Sequence, residues 1–310
     1  MSPRRAAAAA GPFVVEQRAV GLRVERIEGT VRSPRKDVLA AEEPLEIRIG
    51  HGHARARQRQ SLTVTMRTPG NDVELAVGFL FAEGVVGRIE DIEHVESCGP
   101  PVGPLGVRNI VRVELVPRVK VDAKLRRSFL TTSSCGLCGK ASLAALPHVP
   151  SLPKGEGFTV AATAIHALPG ALVRAQRVFE YTGGLHAAAL FDCTGSLLDV
   201  REDIGRHNAL DKLIGARVLA AAMPLSQCIV LVSGRAGYEL VQKSVAAGAP
   251  VLAAVGAPSS LAADLAREAN LTLLGFVRDG RFNVYSGGHR IRGTVQSDAA
   301  AATAPRDAPS

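Results

Sequence analysis

Three short segments in the second half of the chain are almost uninterrupted runs of apolar residues. They occupy residues 228–232, 251–255 and 271–276, and segments with helical character separate them. Strands that are apolar on both faces belong to sheets that helices cover on both sides. The sequence therefore predicts an α/β second half that is built on a largely parallel sheet.

The first half has a different pattern, in which apolar and polar residues alternate. Alternation is typical of strands with one buried face, and it marks residues 20–32, 45–49, 61–66, 95–98 and 109–115. A helix over residues 73–81 follows a turn, and Asp72 is predicted to cap it. A solvated basic edge strand is predicted where arginines recur with a period of two, at Arg55, Arg57 and Arg59. We expect a β-rich α+β unit.

These patterns divide the chain into an N-terminal and a C-terminal domain with connecting and terminal segments. Residues 20–127 form the predicted N-terminal β-rich domain, and residues 158–292 form the predicted larger α/β domain. Residues 128–157 between them are expected to hold a mobile loop with two cysteines, the helix that follows it and a linker rich in proline and glycine. Residues 1–19 and 293–310 are expected to be disordered tails.

The two cysteines of the connecting segment, Cys135 and Cys138, are the first candidates for chemistry. Small hydroxyl residues precede them and an apolar run follows, which is a signal for the start of a helix. The helix dipole favours the thiolate at such a position, and the thiolate is the reactive form of sulfur. We therefore expect chemistry on sulfur, with a pKa of the Cys135 thiol in the range of about 3.5–7.5.

Three other interpretations of this cysteine pair are possible from the residues alone. Plain structural cysteines are the least favoured, because the setting is polar and rich in glycine. A structural zinc site needs four ligands, and the remaining cysteines, Cys98, Cys193 and Cys228, are scattered singly. A thioredoxin-like dithiol would follow a strand, whereas polar residues precede this pair. We predict no metal site and no permanently bound metal. Five cysteines without a regular framework fit a reducing cytoplasm, which is the expected location.

The charge of the chain indicates an anionic ligand. The formal net charge is +8, and the sequence pI is about 9.6. Aromatic residues make up only 4% and tryptophan is absent, so there is little material for stacking on bases, and no nucleic acid is expected as a partner. A nucleotide or a phosphorylated cofactor suits the charge better. No apolar run reaches the length of about 18 residues that a membrane span needs, so no membrane association is expected.

Three polar clusters in the second half are further candidates. His186 follows two glycines and a leucine, a setting more typical of a hydrogen-bonded core residue than of a ligand. Residues 201–212 concentrate charge ahead of an apolar helix. The run Ser233-Gly234-Arg235 joins an apolar strand to a helix, the geometry in which backbone N–H groups meet an anion. The fingerprints of P-loop and Rossmann proteins are absent from the sequence.

Together these motifs resemble the formate dehydrogenase accessory sulfurtransferase family (FdhD). Five segments carry the resemblance in the family's order. They are residues 65–72 with 78–80, residues 135–139, residues 182–188, residues 201–212, and residues 233–235 ahead of Tyr238 and Glu239. The resemblance extends from about Val20 to Tyr285 and therefore covers nearly everything outside the tails.

The resemblance implies a sulfur carrier that formate dehydrogenase needs for activity. Cys135 would accept persulfide sulfur from a cysteine desulfurase, with Cys138 assisting. The sulfur would pass to the molybdenum bis(molybdopterin guanine dinucleotide) cofactor, a bound acceptor substrate, before that cofactor enters formate dehydrogenase. The cofactor-binding stretch of the family maps onto Ala253, Ala254, Val255, Gly256, Ala257 and Pro258. We add Ser233, Gly234 and Arg235, which places the guanine nucleotide at the carboxyl ends of two buried strands.

The resemblance also implies a homodimer and a larger domain similar to the cytidine deaminase fold. Zinc-dependent deamination is not expected, because alanines follow His186 and the cysteine pair lies upstream of it. Two other functional classes stay open. The protein could be a thiol–disulfide oxidoreductase or a non-catalytic chaperone of the molybdenum cofactor.

Overall fold

The computed structural model describes residues 13–103, 105–121, 151–153 and 157–295. Cys135, Cys138 and the predicted mobile loop lie outside the described residues. A three-stranded antiparallel sheet comes first, consisting of β1 (Phe13–Glu16), β2 (Ala19–Glu28) and β3 (Val31–Ala40). Residues 13–19, which the sequence assigned to a disordered tail, thus form β1 and the start of β2. The strand predicted over residues 20–32 is two strands, because the chain turns at Gly29, where φ is +62°.

A four-stranded sheet with one helix completes the first half. Its strands, in the order β5-β4-β7-β6, are β4 (Glu43–His51), β5 (Gln58–Arg67), β6 (Ile92–Val102) and β7 (Val107–Leu115). The predicted alternation is confirmed in β4, where Leu45, Ile47 and Ile49 are buried. These side chains pack in one cluster with Leu75 and Leu80 of α1 (Asp72–Ala82).

Two details of the first half differ from the prediction. Asp72 does not cap α1, because it is the first helical residue and Asn71 precedes it with φ at 59°. Its carboxylate instead accepts two hydrogen bonds of 2.9 Å from the buried Arg67 guanidinium. The predicted edge strand with solvated arginines also differs from the structure. Arg57 and Arg59 both bind the carboxylate of Glu114, at 2.7 and 3.2 Å, so the edge of this sheet is not simply solvated.

The second half contains a six-stranded sheet with helices on both faces. Its order is β10-β9-β11-β12-β13-β14. The strands are β9 (His186–Phe191), β10 (Leu197–Asp203), β11 (Ile229–Val232), β12 (Val251–Ala254), β13 (Thr272–Arg278) and β14 (Arg281–Ser286). The helices are α2 (Ala162–Ala175), α3 (Arg177–Thr182), α4 (Arg206–Leu219), α5 (Tyr238–Ala246) and α6 (Ser260–Glu268). Two further strands, β8 (Val160–Ala161) and β15 (Ile291–Arg292), form a short separate parallel pair.

The prediction of a largely parallel sheet is wrong, because the sheet is mixed. Only β11, β12 and β13 run parallel, whereas β10–β9, β9–β11 and β13–β14 are antiparallel pairs. The reason lies in the connections. A tight turn joins β9 to β10, where Asp192 accepts from the N–H groups of Thr194 and Ser196 at 2.8 and 2.9 Å. Connections this short can only join antiparallel strands.

The sheet is covered on both faces, as the apolar segments predict. One apolar layer lies between the sheet and α4, α5 and α6, and it includes Leu210, Leu213, Leu240, Val241 and Ala266. The other lies between the sheet and α2, and it includes Ile165, Leu168, Leu172, Ala189 and Leu231. None of the helices in the described ranges is long and apolar enough to cross a membrane.

Helices α1 and α4 join the two halves by direct backbone contact. A Cβ atom on Gly78 of α1 would stand 1.8 Å from the carbonyl oxygen of Asp211, and one on Gly215 of α4 would stand 1.8 Å from that of Glu74. Both positions therefore require glycine. The approach also places Val77 of α1 in the apolar layer of the second half.

This contact gives a prediction for stability. Gly78→Ala should lower the free energy of unfolding by about 1–3 kcal/mol or more, because the helices must separate to admit the methyl group. Gly170→Ala in α2 is the matched control, since its nearest neighbour is the flexible Arg174 guanidinium at 3.4 Å. Alanine favours a helix interior by about 1 kcal/mol, so the control should be neutral or stabilising. Urea unfolding measures both, and equal effects would contradict the contact.

Candidate functional site

Strands β11 and β12 end at the same edge of the six-stranded sheet. They pair in parallel without a shift, Ile229 opposite Val251 and Val232 opposite Ala254. Each strand has 4 residues, and each leads through a loop of equal length into a helix of 9 residues. We call residues 233–237 the first loop and residues 255–259 the second loop. Such strand ends, with helices starting just beyond them, are where α/β proteins bind ligands.

The two loops are hydrogen-bonded to each other through their backbones. The N–H of Gly256 donates to the carbonyl of Gly234 at 2.9 Å, and the N–H of Ala236 donates to that of Ala257 at 3.2 Å. A Cβ atom on Gly256 would lie 3.0 Å from the Gly234 backbone, so this approach depends on glycine. On the far side, Phe276 of β13 donates to the Gly256 carbonyl at 3.1 Å. The edge is thus a fixed backbone surface.

The structure sorts the predicted cofactor-binding residues into two groups. Ala253 and Ala254 are fully buried within β12, so their methyl groups contact the core. Val255, Gly256, Ala257 and Pro258 are partly exposed in the second loop, next to Ser233 and Gly234 of the first loop. Arg235 is exposed at the same edge. The binding role predicted for residues 253–258 therefore rests on the last four of them.

The loops offer hydrogen-bond donors to a ligand. The N–H groups of Gly234, Arg235 and Ala257 donate to no acceptor in the described part of the chain. The Ser233 hydroxyl is partly committed, since it accepts from the N–H of Ala187 at 2.9 Å. Ser259 caps α6 by accepting from Ala262 at 3.2 Å. Free backbone N–H groups with an arginine beside them suit an anion.

His186 lies at this edge, as the first residue of β9 and opposite Asp203 of β10. Its Nδ1 atom is 3.5 Å from the Ser233 hydroxyl. Burial lowers the pKa of His186, the Arg206 guanidinium lowers it further, and Asp203 opposes both. The imidazole is therefore neutral at physiological pH.

A pocket of about 310 Å³ opens beside the histidine. It is lined by Gln176, Phe179, Gly183, Gly184, Leu185, His186 and Ser233. The sequence favoured a hydrogen-bonded core residue over a ligand at His186. The ring does contact the Ser233 hydroxyl, but it is half-buried and lines a pocket rather than the core. The pocket extends the candidate site from the loops toward α3.

The charged residues 201–212 form buried contacts that fix the position of the site. Asp203 and Lys212 are fully buried and form an ion pair of 2.7 Å. Burial lowers the pKa of Lys212, and Asp203 opposes that shift. Lys212 also donates to the Thr68 carbonyl at 2.8 Å, and the Thr68 N–H donates to Asp203 at 3.1 Å. Leaving either charge unpaired would cost about 3–5 kcal/mol, so this network firmly joins the segment before α1 to β10 and α4.

Two further carboxylates of this cluster position helices. Glu202 accepts from the N–H groups of Val178 and Phe179 at 3.1 and 2.9 Å, and so satisfies the start of α3. Asp211 binds Lys243 at 2.6 and 2.9 Å, which joins α4 to α5. Burial raises the pKa of Asp211 to about 6, with Lys243 opposing the shift. The charge density of residues 201–212 is thus largely structural.

The cysteines of the described residues are single. Cys98, Cys193 and Cys228 are free thiols, of which Cys193 is exposed. Burial raises the pKa of Cys228. No group of three or more histidine, cysteine, aspartate or glutamate side chains in the described ranges could hold a metal ion. The roles predicted for Cys135 and Cys138 stay predictions.

The fold has a counterpart among solved structures. A crystal structure from Desulfotalea psychrophila, described as that of a formate dehydrogenase accessory protein, matches with a TM-score of 0.69. The match covers 88% of this chain and 99% of the other, at 22% sequence identity. At this identity the likeness shows the shared α/β fold. The further resemblance to the cytidine deaminase fold stays a prediction.

The sequence defines the family. The FdhD/NarQ family model matches residues 40–292, and the chain therefore belongs to the FdhD/NarQ family. A relative from Streptomyces avermitilis is 50% identical over 273 residues, which cover 87% of this chain and 94% of the relative. One from Mycobacterium tuberculosis is 50% identical over 275 residues, covering 87% and 97%. Both are named sulfur carrier protein FdhD. The resemblance seen in the motifs is confirmed.

Two features of the site escaped the analysis of the sequence. Arg206 lies within a segment that was singled out, but nothing in the sequence indicated that it would lie beside Gly234. The repeated strand, loop and helix of β11–α5 and β12–α6 was also missed. A glycine lies two residues beyond the end of each strand, at Gly234 and Gly256.

Proposed function

We propose that this protein is a sulfur carrier for the molybdenum cofactor of formate dehydrogenase. Cys135 accepts persulfide sulfur from a cysteine desulfurase and passes it to the bis(molybdopterin guanine dinucleotide) cofactor, which is the acceptor substrate. Membership of the FdhD/NarQ family supports this proposal, as does the name of the relatives, sulfur carrier protein FdhD. The protein acts as a sulfurtransferase in this scheme and works as a homodimer.

Loading requires one thiolate exchange. The Cys135 thiolate attacks the outer sulfur of the persulfide on the desulfurase. A new S–S bond forms on Cys135, the old S–S bond breaks, and the desulfurase cysteine leaves as a thiolate, so no external oxidant is needed. A thiol with a depressed pKa favours this reaction at neutral pH, and Cys138 assists.

The observation that carries the placement of the acceptor is the parallel register of β11 and β12. It brings the first and second loops together at one edge, where free N–H groups and Arg235 are available. We infer that the guanine nucleotide end of the cofactor binds there. Its pyrophosphate provides the negative charge, and Gly234 and Gly256 allow the backbone to approach it.

The role of the cysteines can be tested by loading the chain with sulfur. The full chain would be incubated with a cysteine desulfurase and radiolabelled cysteine, and protein-bound sulfur would be measured. Cys135→Ala should abolish loading, and Cys138→Ala should reduce it less. The exposed Cys193 provides the control, because Cys193→Ala should load normally. Normal loading of Cys135→Ala, or loss in Cys193→Ala, would contradict the assignment.

The nucleotide site can be tested by calorimetry with guanosine diphosphate. Val77 of α1 belongs to the same core as β11 and β12, so the full chain is the material to use. We expect weak binding that falls as salt rises. Arg235→Ala should weaken it by roughly 1.5–3 kcal/mol, because a charged hydrogen bond to phosphate is lost.

A matched control separates this edge from a second basic cleft. That cleft, of about 460 Å³, is lined in part by Arg18, Arg174, Arg177 and Arg201. Arg174→Ala removes the same charge there and should leave the affinity for guanosine diphosphate near that of the unaltered chain. Unchanged affinity in Arg235→Ala would remove that residue from the site. Complete absence of binding to the unaltered chain would remove the site itself.

A further inference from the structure

Arg206 is the first residue of α4 and comes to lie beside the first loop. Its side chain is half-buried, and its Nε atom is shielded from solvent without a hydrogen-bond partner. Two other arginines of the described residues hold carboxylates. Arg67 holds Asp72 with two bonds of 2.9 Å, and Arg201 holds Glu74 at 2.5 and 3.0 Å. In the described residues no carboxylate or carbonyl does the same for Arg206.

The Arg206 side chain borders a niche that exists because residue 234 is glycine. A methyl group on Gly234 would stand 3.3 Å from the His186 ring and 3.8 Å from Cδ of Arg206. The imidazole and the arginine side chain thus flank the first loop from the same side. The free N–H groups of Gly234 and Arg235 belong to that loop. Donor-bearing groups of three kinds, a guanidinium, an imidazole and backbone N–H groups, therefore lie around Gly234.

The histidine can contribute a donor in one of its two neutral tautomers. The Ser233 hydroxyl accepts from the Ala187 N–H at 2.9 Å, so its own proton is available to His186 Nδ1, 3.5 Å away. With Nδ1 as acceptor, the proton of the neutral ring resides on Nε2. The ring then presents an N–H group rather than a lone pair.

The acid that acts on the charge of His186 is already saturated with hydrogen-bond donors. Among the described residues, Asp203 is the only carboxylate that acts on the charge of His186. Its oxygens bind Lys212 at 2.7 Å, the N–H of Thr68 at 3.1 Å and that of Gly205 at 2.8 Å. His207, which follows Arg206 in the chain, contacts the Glu239 carboxylate with its Nε2 atom at 3.2 Å. The charge left unbalanced at the niche is therefore positive.

We propose that Arg206, His186 and the backbone of the first loop form a phosphoryl subsite that takes the pyrophosphate of the acceptor. This inference rests on the proposed function, and it adds two binding residues next to Gly234. A guanidinium without a carboxylate partner can bind phosphate through paired N–H groups. The subsite thereby fixes the orientation of the nucleotide end.

The test uses inorganic pyrophosphate as the probe and the full chain as the protein. Calorimetry should show binding that Arg206→Gln weakens by about tenfold or more, the loss expected for a charged hydrogen bond. Arg217→Gln is a demanding control. Arg217 lies on the same helix and also has a buried Nε atom without a partner, but it is about 16 Å away along the axis. Its variant should bind pyrophosphate like the unaltered chain.

A second variant keeps the test decisive if Arg206→Gln does not fold. Gly234→Ala retains both arginines and fills the niche next to the His186 ring, so it should also weaken pyrophosphate. Imidazole resonances in NMR should show pyrophosphate shifting His186 in the unaltered chain and in Arg217→Gln. Equal losses in Arg206→Gln and Arg217→Gln, or no shift at His186, would overturn the subsite.

The outcomes separate this inference from the proposed function. If the affinity for guanosine diphosphate depends on Arg235 but the affinity for pyrophosphate does not depend on Arg206, the subsite is refuted and the nucleotide site stands. If pyrophosphate binds through Arg206 but no guanine nucleotide binds, the subsite stands and the nature of the acceptor is refuted.

Discussion

The backbone contact between α1 and α4 is the constraint on which the rest of the structure depends. With glycine at 78 and 215 the two helices touch through their main chains, and the segment that precedes α1 is brought against β10. Only then can Thr68 share the buried pair of Asp203 and Lys212. A buried pair of this kind adds little net stability but is costly to break. Its main effect is therefore to fix the position of these segments relative to one another. The same contacts fix the start of α4 and therefore the position of Arg206.

The candidate site follows from the same geometry. The parallel register of β11 and β12 makes two glycine loops meet, and their mutual hydrogen bonds leave other N–H groups free for a ligand. β9 runs antiparallel to β11 and begins where β11 ends, which delivers His186 to the same edge. The site therefore consists of two short loops held between regular elements, which position binding groups more rigidly than long loops do.

The sequence predicts the elements better than their arrangement. The apolar segments of β11, β12 and β13 could be recognised because strands buried on both faces have no polar positions. Apolar content does not record the direction of β9 and β14, which depends on the tight turns at Thr194-Gly195-Ser196 and Asp279-Gly280. The ion pair of Lys212 with Asp203 and the hydrogen bonds of Thr68 across the two halves could not be predicted either, because a sequence pattern does not show which groups meet. The family motifs indicated the candidate site, but they did not show which charges are structural.

The most direct test of the central claim, that the edge formed by the two loops binds the nucleotide end of the acceptor, is a crystal structure of the full chain with guanosine diphosphate. We expect the diphosphate to lie against the N–H groups of Gly234, Arg235 and Ala257, within reach of Arg206. A nucleotide bound instead in the cleft of Arg18, Arg174 and Arg177, with the loop edge empty, would contradict it.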